Sequence, residues 1–233
     1  MSVLSLPDIS INIPYDDDIC LMVLGGRAPS SDWLASLNFQ SETWAVDKGL
    51  EFCLDAHITP DMLIGDCDSS SSSAWRCSVE LGVPTAKFDS DKDLTDFQLA
   101  LDIFDKNQKR ESLKGIFLSG AFGGHFDHLW SLIISFLHRS QNYIPVGMAD
   151  DEEGMIFLRG KSSLTADFSK APEAISLLPF SQECAGVSIK GAKWPLNDVE
   201  LEYSRPYSIS NRAVGNDVRV DIGRGLLGFY WKW

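Results

Sequence analysis

Ile19 to Leu24 reads Ile-Cys-Leu-Met-Val-Leu and stops at Gly25-Gly26. Six apolar residues with no polar alternate do not suit an edge that is wet on one face; they fit a strand buried on both faces, as in a parallel sheet between helical layers. Thr43 to Val46, Met62 to Ile64, Thr85 to Phe88 and Gly115 to Leu118 read as further strands. Between them Phe97, Ala100, Leu101 and Phe104 recur at i, i+3, i+4 and i+7, and Leu129, Leu132, Ile133, Phe136 and Leu137 repeat the stripe. These are helices that pack by one face on a sheet. Strand and helix patterns alternating through about 140 residues imply right-handed crossovers and a mainly parallel sheet, with functional loops at the carboxyl ends of its strands.

After Ala149 the segments shorten and are bounded by Gly, Pro and Asn. Val218, Val220 and Ile222 alternate with Asp217, Arg219 and Asp221, the period-2 pattern of a half-buried strand. The expected architecture is α/β: a mainly parallel sheet with flanking helices in residues 1–149, then a small antiparallel β-sandwich in residues 150–233, joined at Asp150-Asp151-Glu152-Glu153. A length of 233 residues accommodates two such domains.

Composition limits the partners. Lys and Arg total 20 against 33 Asp and Glu, a net charge of -13. So acidic a chain lacks the phosphate-neutralising surface on which nucleic-acid affinity rests, and is poorly matched to anionic membranes. No apolar run approaches the roughly 20 residues of a membrane span, and the N-terminus has no basic start followed by an apolar block, so a cytoplasmic location is expected. Cys20, Cys53, Cys67, Cys77 and Cys184 are odd in number and form no CxxC pair, which suggests reduced thiols rather than a disulfide framework or a zinc site. The aromatic end, Phe229-Tyr230-Trp231-Lys232-Trp233, is expected to pack at an interface rather than stack on a ligand.

Between residues 61 and 105 stand ten acids and only three bases. Carboxylates crowded at the ends of buried strands repel one another unless a divalent cation neutralises them, and Mg2+ suits one or two carboxylates with water and a substrate phosphate. In Gly65-Asp66-Cys67-Asp68-Ser69 the two acids at i and i+2 point the same way if the backbone stays extended, so both could face one metal. A tight loop closed by Asx-type bonds accounts for them equally well. In Asp93-Leu94-Thr95-Asp96, Asp93 suits an N-cap and Asp96 could return its hydrogen bond as in a capping box; the same spacing also sets both carboxylates on one side of a first turn, where a nucleotide-bound metal could meet them. Ser119 to His128 joins a strand to a helix through Gly120, Gly123 and Gly124, a turn able to offer backbone N–H groups to phosphate oxygens, with His125 available to an anion and Asp127 either a site residue or a cap. Asp47 ends another strand, where an acid could meet a hydroxyl, an amine or a metal. No GxxxxGK[ST] motif occurs, which excludes a Walker-type loop.

Taken in order, these segments resemble the thiamine pyrophosphokinase (thiamine diphosphokinase) family. Ala45 to Gly49 is similar to its Ala-Asp-Gly-Gly segment, Pro60-Asp61 through Gly65-Asp66-Cys67-Asp68-Ser69 to its Pro-Asp…Gly-Asp-x-Asp-Ser segment, Asp93-Leu94-Thr95-Asp96 to its Asp-x-Thr-Asp, and Gly123 to His128 to its Gly-Gly-Arg-x-Asp-His loop. Near the end, Tyr207 to Asn211 resembles its Ser-Asn thiamine-binding stretch, preceded by a Lys193-Trp194-Pro195-Leu196 segment similar to the family's. The resemblance implies Mg2+ on Asp66, Asp68 and Asp96, with Asp68 or Asp96 taking the hydroxyl proton. It implies ATP held by Asp47, Asp93, Thr95, Gly123, Gly124, His125 and Asp127, and thiamine held by Ser208, Ser210 and Asn211. It further implies a homodimer with shared active sites and transfer of the β,γ-diphosphoryl group of ATP to the thiamine hydroxyl. Lys48 stands where the family has a glycine, and the first loop reads Gly25-Gly26-Arg27 rather than Asn-Gly. His125 replaces an arginine, and Arg27 or Lys92 is then expected to supply the charge that a neutral imidazole lacks. A pyrophosphokinase for another primary alcohol, such as a hydroxymethyl pterin, or a non-catalytic thiamine or nucleotide binder would share much of this pattern.

Overall fold

The computed structural model describes residues 2–16, 18–37, 42–65, 80, 82–88, 93–107, 113–139 and 142–233. The chain forms two compact units, one of residues 18–150 and one of residues 1–17 with 151–233.

In the first unit, strands β3 (Ile19–Val23), β4 (Thr43–Val46), β5 (Met62–Gly65), β6 (Thr85–Lys87), β7 (Gly115–Ser119) and β8 (Ile144–Ala149) alternate with helices α1 (Ser31–Ser36), α2 (Gly49–Asp55), α3 (Asp96–Asn107) and α4 (Phe126–His138). All the strand pairings are parallel, in the order β8-β7-β3-β4-β5-β6. Every residue of β3 and of β7 is buried, as their unbroken apolar sequences require of strands covered on both faces. Helix α3 buries Phe97, Ala100, Leu101 and Phe104, the expected stripe. In α4 the buried face is Ile133, Phe136 and Leu137, while Leu129 and Leu132 border a cavity instead. From β3 the chain steps outward through β4, β5 and β6, then returns to place β7 and β8 on the other side of β3. Connections after β3 and after β7 therefore leave in opposite directions, which opens a crevice at the carboxyl edge between those two strands.

The second unit is antiparallel, with two sheets. One is ordered β1-β2-β10-β14-β12-β13, from β1 (Ser2–Leu6), β2 (Ile9–Ile13), β10 (Ser162–Phe168), β12 (Glu183–Lys190), β13 (Leu196–Glu202) and β14 (Asp217–Ile222). The other sets β15 (Leu226–Lys232) between β11 (Ala174–Pro179) and β9 (Glu153–Arg159). The division between the units falls between Asp150 and Asp151, but the first seventeen residues lie with the second unit and not with the α/β unit expected for 1–149. The reason is an alternation that makes them a hairpin: Leu4, Leu6, Ile9, Ile11 and Ile13 are buried, Asp8 turns at φ 62°, and β2 pairs with β10. The aromatic end likewise departs from the expected interface. Phe229 and Trp231 face inward from a central strand, Gly154 leaves space for the Trp231 ring, and the Tyr230 hydroxyl donates to Glu153 at 2.6 Å.

Cys20, Cys53 and Cys184 are free and buried. Burial pushes the Cys53 thiol up to about 12, and burial with Glu42 nearby raises Cys20 well above its ordinary value, so neither thiol is reactive near neutrality. Cys67 and Cys77 lie outside the described residues. Among the described residues no helix is long and apolar enough to cross a membrane.

Candidate active site

A cavity of about 730 Å³ opens at the carboxyl ends of β3, β4 and β7, bordered by the first turns of α3 and α4. Asp47 enters it from the end of β4 in a left-handed conformation, φ 54°, unusual for a residue with a side chain. Its neighbours hold it there. Its N–H donates to the Ile64 carbonyl at 2.7 Å, its carbonyl accepts from Leu50 at 3.2 Å, and Gly65 packs so close that an added Cβ would lie 3.3 Å from the Asp47 Cα. Backbone held in a sparse region by such contacts is frequent at functional sites.

Two glycine turns form one wall. The turn after β3 runs beside the turn after β7, joined by Leu24 N–H to Ser119 O at 2.8 Å, Gly26 N–H to Gly120 O at 2.8 Å and Arg27 N–H to Phe122 O at 2.6 Å. Side chains are excluded along this seam: a Cβ on Gly26 would meet two carbonyl oxygens at 2.5 and 2.6 Å, and one on Gly120, itself at φ 64°, would meet the Leu24 oxygen at 2.3 Å. Gly123 and Gly124 also have positive φ and line the cavity.

Helix α3 and the residues just before it bring Asp96 and Asp93 to the cavity, but not as the capping pair that the spacing suggested. The cap is Thr95 with Gln98: Gln98 N–H donates to Thr95 Oγ1 at 3.2 Å, and Thr95 N–H donates to Gln98 Oε1 at 3.1 Å. Reciprocal bonds of this kind are a capping box, and the Thr-x-x-Gln signature was present in the sequence. Thr95 lines the cavity with its hydroxyl engaged in this box, which leaves the neighbouring acids outside the capping bonds. At α4, His125 is the N-cap residue without a side-chain cap bond, its ring centroid 5.8 Å from that of His128, and Asp127 accepts from the His128 N–H at 3.0 Å.

Arg27 is not brought into the cavity. Its Nε and a terminal nitrogen donate to the two oxygens of Asp150 at 2.9 and 3.0 Å, and the Asp150 side chain is wholly buried. The charge expected to replace the family's arginine is thus matched by a carboxylate, and Asp150, read from sequence only as part of a joint, was missed. Asp66, Asp68 and Lys92 lie outside the described residues. Among the described residues lining the cavity there is no lysine or arginine, while Asp47, Asp93, Asp96 and Asp127 all contribute carboxylates. Hard oxygen donors in an opening with no fixed cation among its described residues fit Mg2+ bound with a polyphosphate: the acids attract the metal, whereas the polyphosphate alone would be opposed by the site's charge. No group of three His, Cys, Asp or Glu close enough to hold an ion occurs among the described residues.

The expected thiamine residues lie in the second unit. Asn211 is buried, and its amide serves the backbone: Oδ1 accepts from Trp194 N–H at 3.1 Å and from Arg212 N–H at 2.9 Å, while Nδ2 donates to Trp194 O at 2.7 Å. Ser208 is buried, and exposed Ser210 sits at φ 53° with its N–H on Ser176 Oγ at 3.1 Å. Trp194, held by Asn211, leaves 55% of its surface exposed.

In class this is an α/β protein with glycine turns and carboxylates at the switch point of a parallel sheet, carried on the same chain as an antiparallel β unit. It belongs to the thiamine pyrophosphokinase family: residues 35–148 match the thiamin pyrophosphokinase catalytic domain, and residues 165–227 match the family's vitamin B1 binding domain. Thiamine pyrophosphokinase of Bacillus subtilis is 29% identical over 209 residues, covering 88% of this chain and 94% of that protein. Thiamine pyrophosphokinase 1 of rice is 28% identical over 72% of this chain and 64% of its own length. The fold is shared with the crystal structure of the Bacillus subtilis enzyme, with a TM-score of 0.76 at 23% identity over 92% of this chain and 98% of that one. It is shared also with the Candida albicans enzyme, at 0.73 and 16% over 92% and 89%.

Proposed function

We propose that this chain is a thiamine pyrophosphokinase, transferring the β,γ-diphosphoryl group of ATP to the hydroxyl of thiamine and releasing AMP. The observation that carries the reading is the cavity itself, where two glycine turns and the first turns of α3 and α4 meet Asp47, Asp93 and Asp96 in an opening that has no lysine or arginine among its described residues. Phosphoryl-type transfers need positioning and charge neutralisation more than covalent chemistry, and these parts suit that demand. The phosphates would lie against the Gly123-Gly124 turn and His125, with Asp127 shaping the turn.

Asp66, Asp68 and Asp96 would hold Mg2+, which when bound offsets the charge of the phosphates and of the acids together. Asp68 or Asp96 would accept the thiamine hydroxyl proton as oxygen attacks the β-phosphorus. Ser208, Ser210 and Asn211 mark the thiamine region of the second unit, read as a β-sandwich. Asn211 would act there by fixing Trp194, whose exposed ring offers a stacking face to an aromatic heterocycle. A homodimer with shared sites completes the reading. Single-turnover incubation with ATP, Mg2+ and thiamine should give AMP and thiamine diphosphate in equal amounts. ADP with thiamine monophosphate would refute the diphosphoryl assignment, and turnover only with another primary alcohol would refute thiamine as the substrate.

A further inference from the structure

We propose that Arg27 and Asp150 form a positioning pair: the buried carboxylate holds the arginine in the seam between the two glycine turns and thereby fixes the wall of the cavity. Arg27 touches two segments that end at this edge of the sheet, the turn after β7 and the residue after β8. Its backbone N–H closes the seam on Phe122, its guanidinium lies 5.9 Å from the centre of the Phe122 ring, and its two-point bond to Asp150 reaches the end of β8. Gly123 presses on it from the cavity side, so closely that a Cβ there would lie 2.8 Å from the Arg27 Cβ. The glycine turns carry few side chains of their own to pack. Arg27 supplies that packing from behind, and Asp150, with no exposed side-chain surface, fixes its direction. A planar guanidinium bonded to both oxygens of a carboxylate defines an orientation that a lysine ammonium does not.

The inference deepens the pyrophosphokinase reading and rests on it for the identity of the ligand, so its test has one arm that needs no ligand. Arg27→Lys, Asp150→Asn and the double variant Arg27→Gln/Asp150→Asn, which leaves no lone buried charge, are compared with the wild type by hydrogen exchange and by titration with Mg·ATP. The pair predicts that amides of residues 24–27 and 119–125 exchange at least tenfold faster in the variants while those of 19–23 and 115–118 keep their protection. It also predicts that Mg·ATP binds about tenfold more weakly, with the KM for ATP rising and that for thiamine unchanged. Asp150→Asn is the decisive variant. If Arg27 were a phosphate ligand held in reserve, freeing it from Asp150 would preserve or tighten nucleotide binding, and that result overturns the proposal. Unchanged exchange of the two turns in all three variants overturns it as well. Failure of the wild type to bind Mg·ATP would refute the pyrophosphokinase reading, while the exchange arm would still decide the pair.

Discussion

Gly26→Ala should part the two glycine turns. An ideal Cβ on Gly26 lies 2.5 Å from the Gly120 oxygen and 2.6 Å from the Phe122 oxygen, about 0.9 Å short of the 3.4 Å at which ordinary contact begins. Both obstacles are backbone atoms, so relief requires the strands of the seam to separate rather than a side chain to rotate. Moving them apart by that amount stretches the 2.8 Å bond from Gly26 and the 2.6 Å bond from Arg27 to about 3.5 Å or more, beyond useful hydrogen bonding. Two such bonds at about 1 kcal/mol each give a loss of about 2 kcal/mol. The displaced wall should weaken Mg·ATP binding by about tenfold, equivalent to about 1.4 kcal/mol. Gly124→Ala is the control: nothing stands within 4 Å of its Cβ, but its φ of 69° costs a side chain roughly 1 to 2 kcal/mol without disturbing the seam. Urea unfolding and nucleotide titration of both variants separate strain from contact. A Gly26→Ala protein that keeps wild-type stability and affinity would refute the reasoning.

Thr95→Ala removes half of the capping box and should lower stability by about 1 kcal/mol, read by urea unfolding, with a fall in activity because Asp96 sits in the turn that loosens. Asn211→Ala should cost roughly 1 to 3 kcal/mol, because the N–H groups of Trp194 and Arg212 lose their acceptor; stability equal to wild type would show that the amide is not structural. Burial pushes the Tyr15 hydroxyl from 10.0 up to about 12, so the folded chain keeps a proton that the unfolded chain releases. Its contribution is complete below pH 10 and is lost as the pH rises through 12, at up to about 1.4 kcal/mol per pH unit. Tyr15→Phe should flatten that alkaline limb in urea unfolding measured at pH 9 to 12.

The unbroken apolar runs of β3 and β7 were legible because burial on both faces removes polar residues from a strand, whatever its neighbours are. The stripe of α3 was legible because its period is local, and the glycines at 120, 123 and 124 because a turn that requires positive φ leaves little choice of residue. The same sequence carried two competing readings of Asp93 to Asp96. Only the placement of Gln98 against Thr95 decided that the cap lay two residues further on. The N-terminal hairpin shows its alternation plainly, yet nothing local says that Ile11 will lie opposite Ala166, some 150 residues away. Arg27 is the sharpest case. Its side chain could serve a phosphate or a carboxylate equally well, and it meets Asp150 because β8 ends beside the β7 turn. Periodicity and turn chemistry are properties of a few consecutive residues, so the sequence determined the elements. Partnership between strands and between charges depends on which segments the sheet order brings together, and only the tertiary structure decided it.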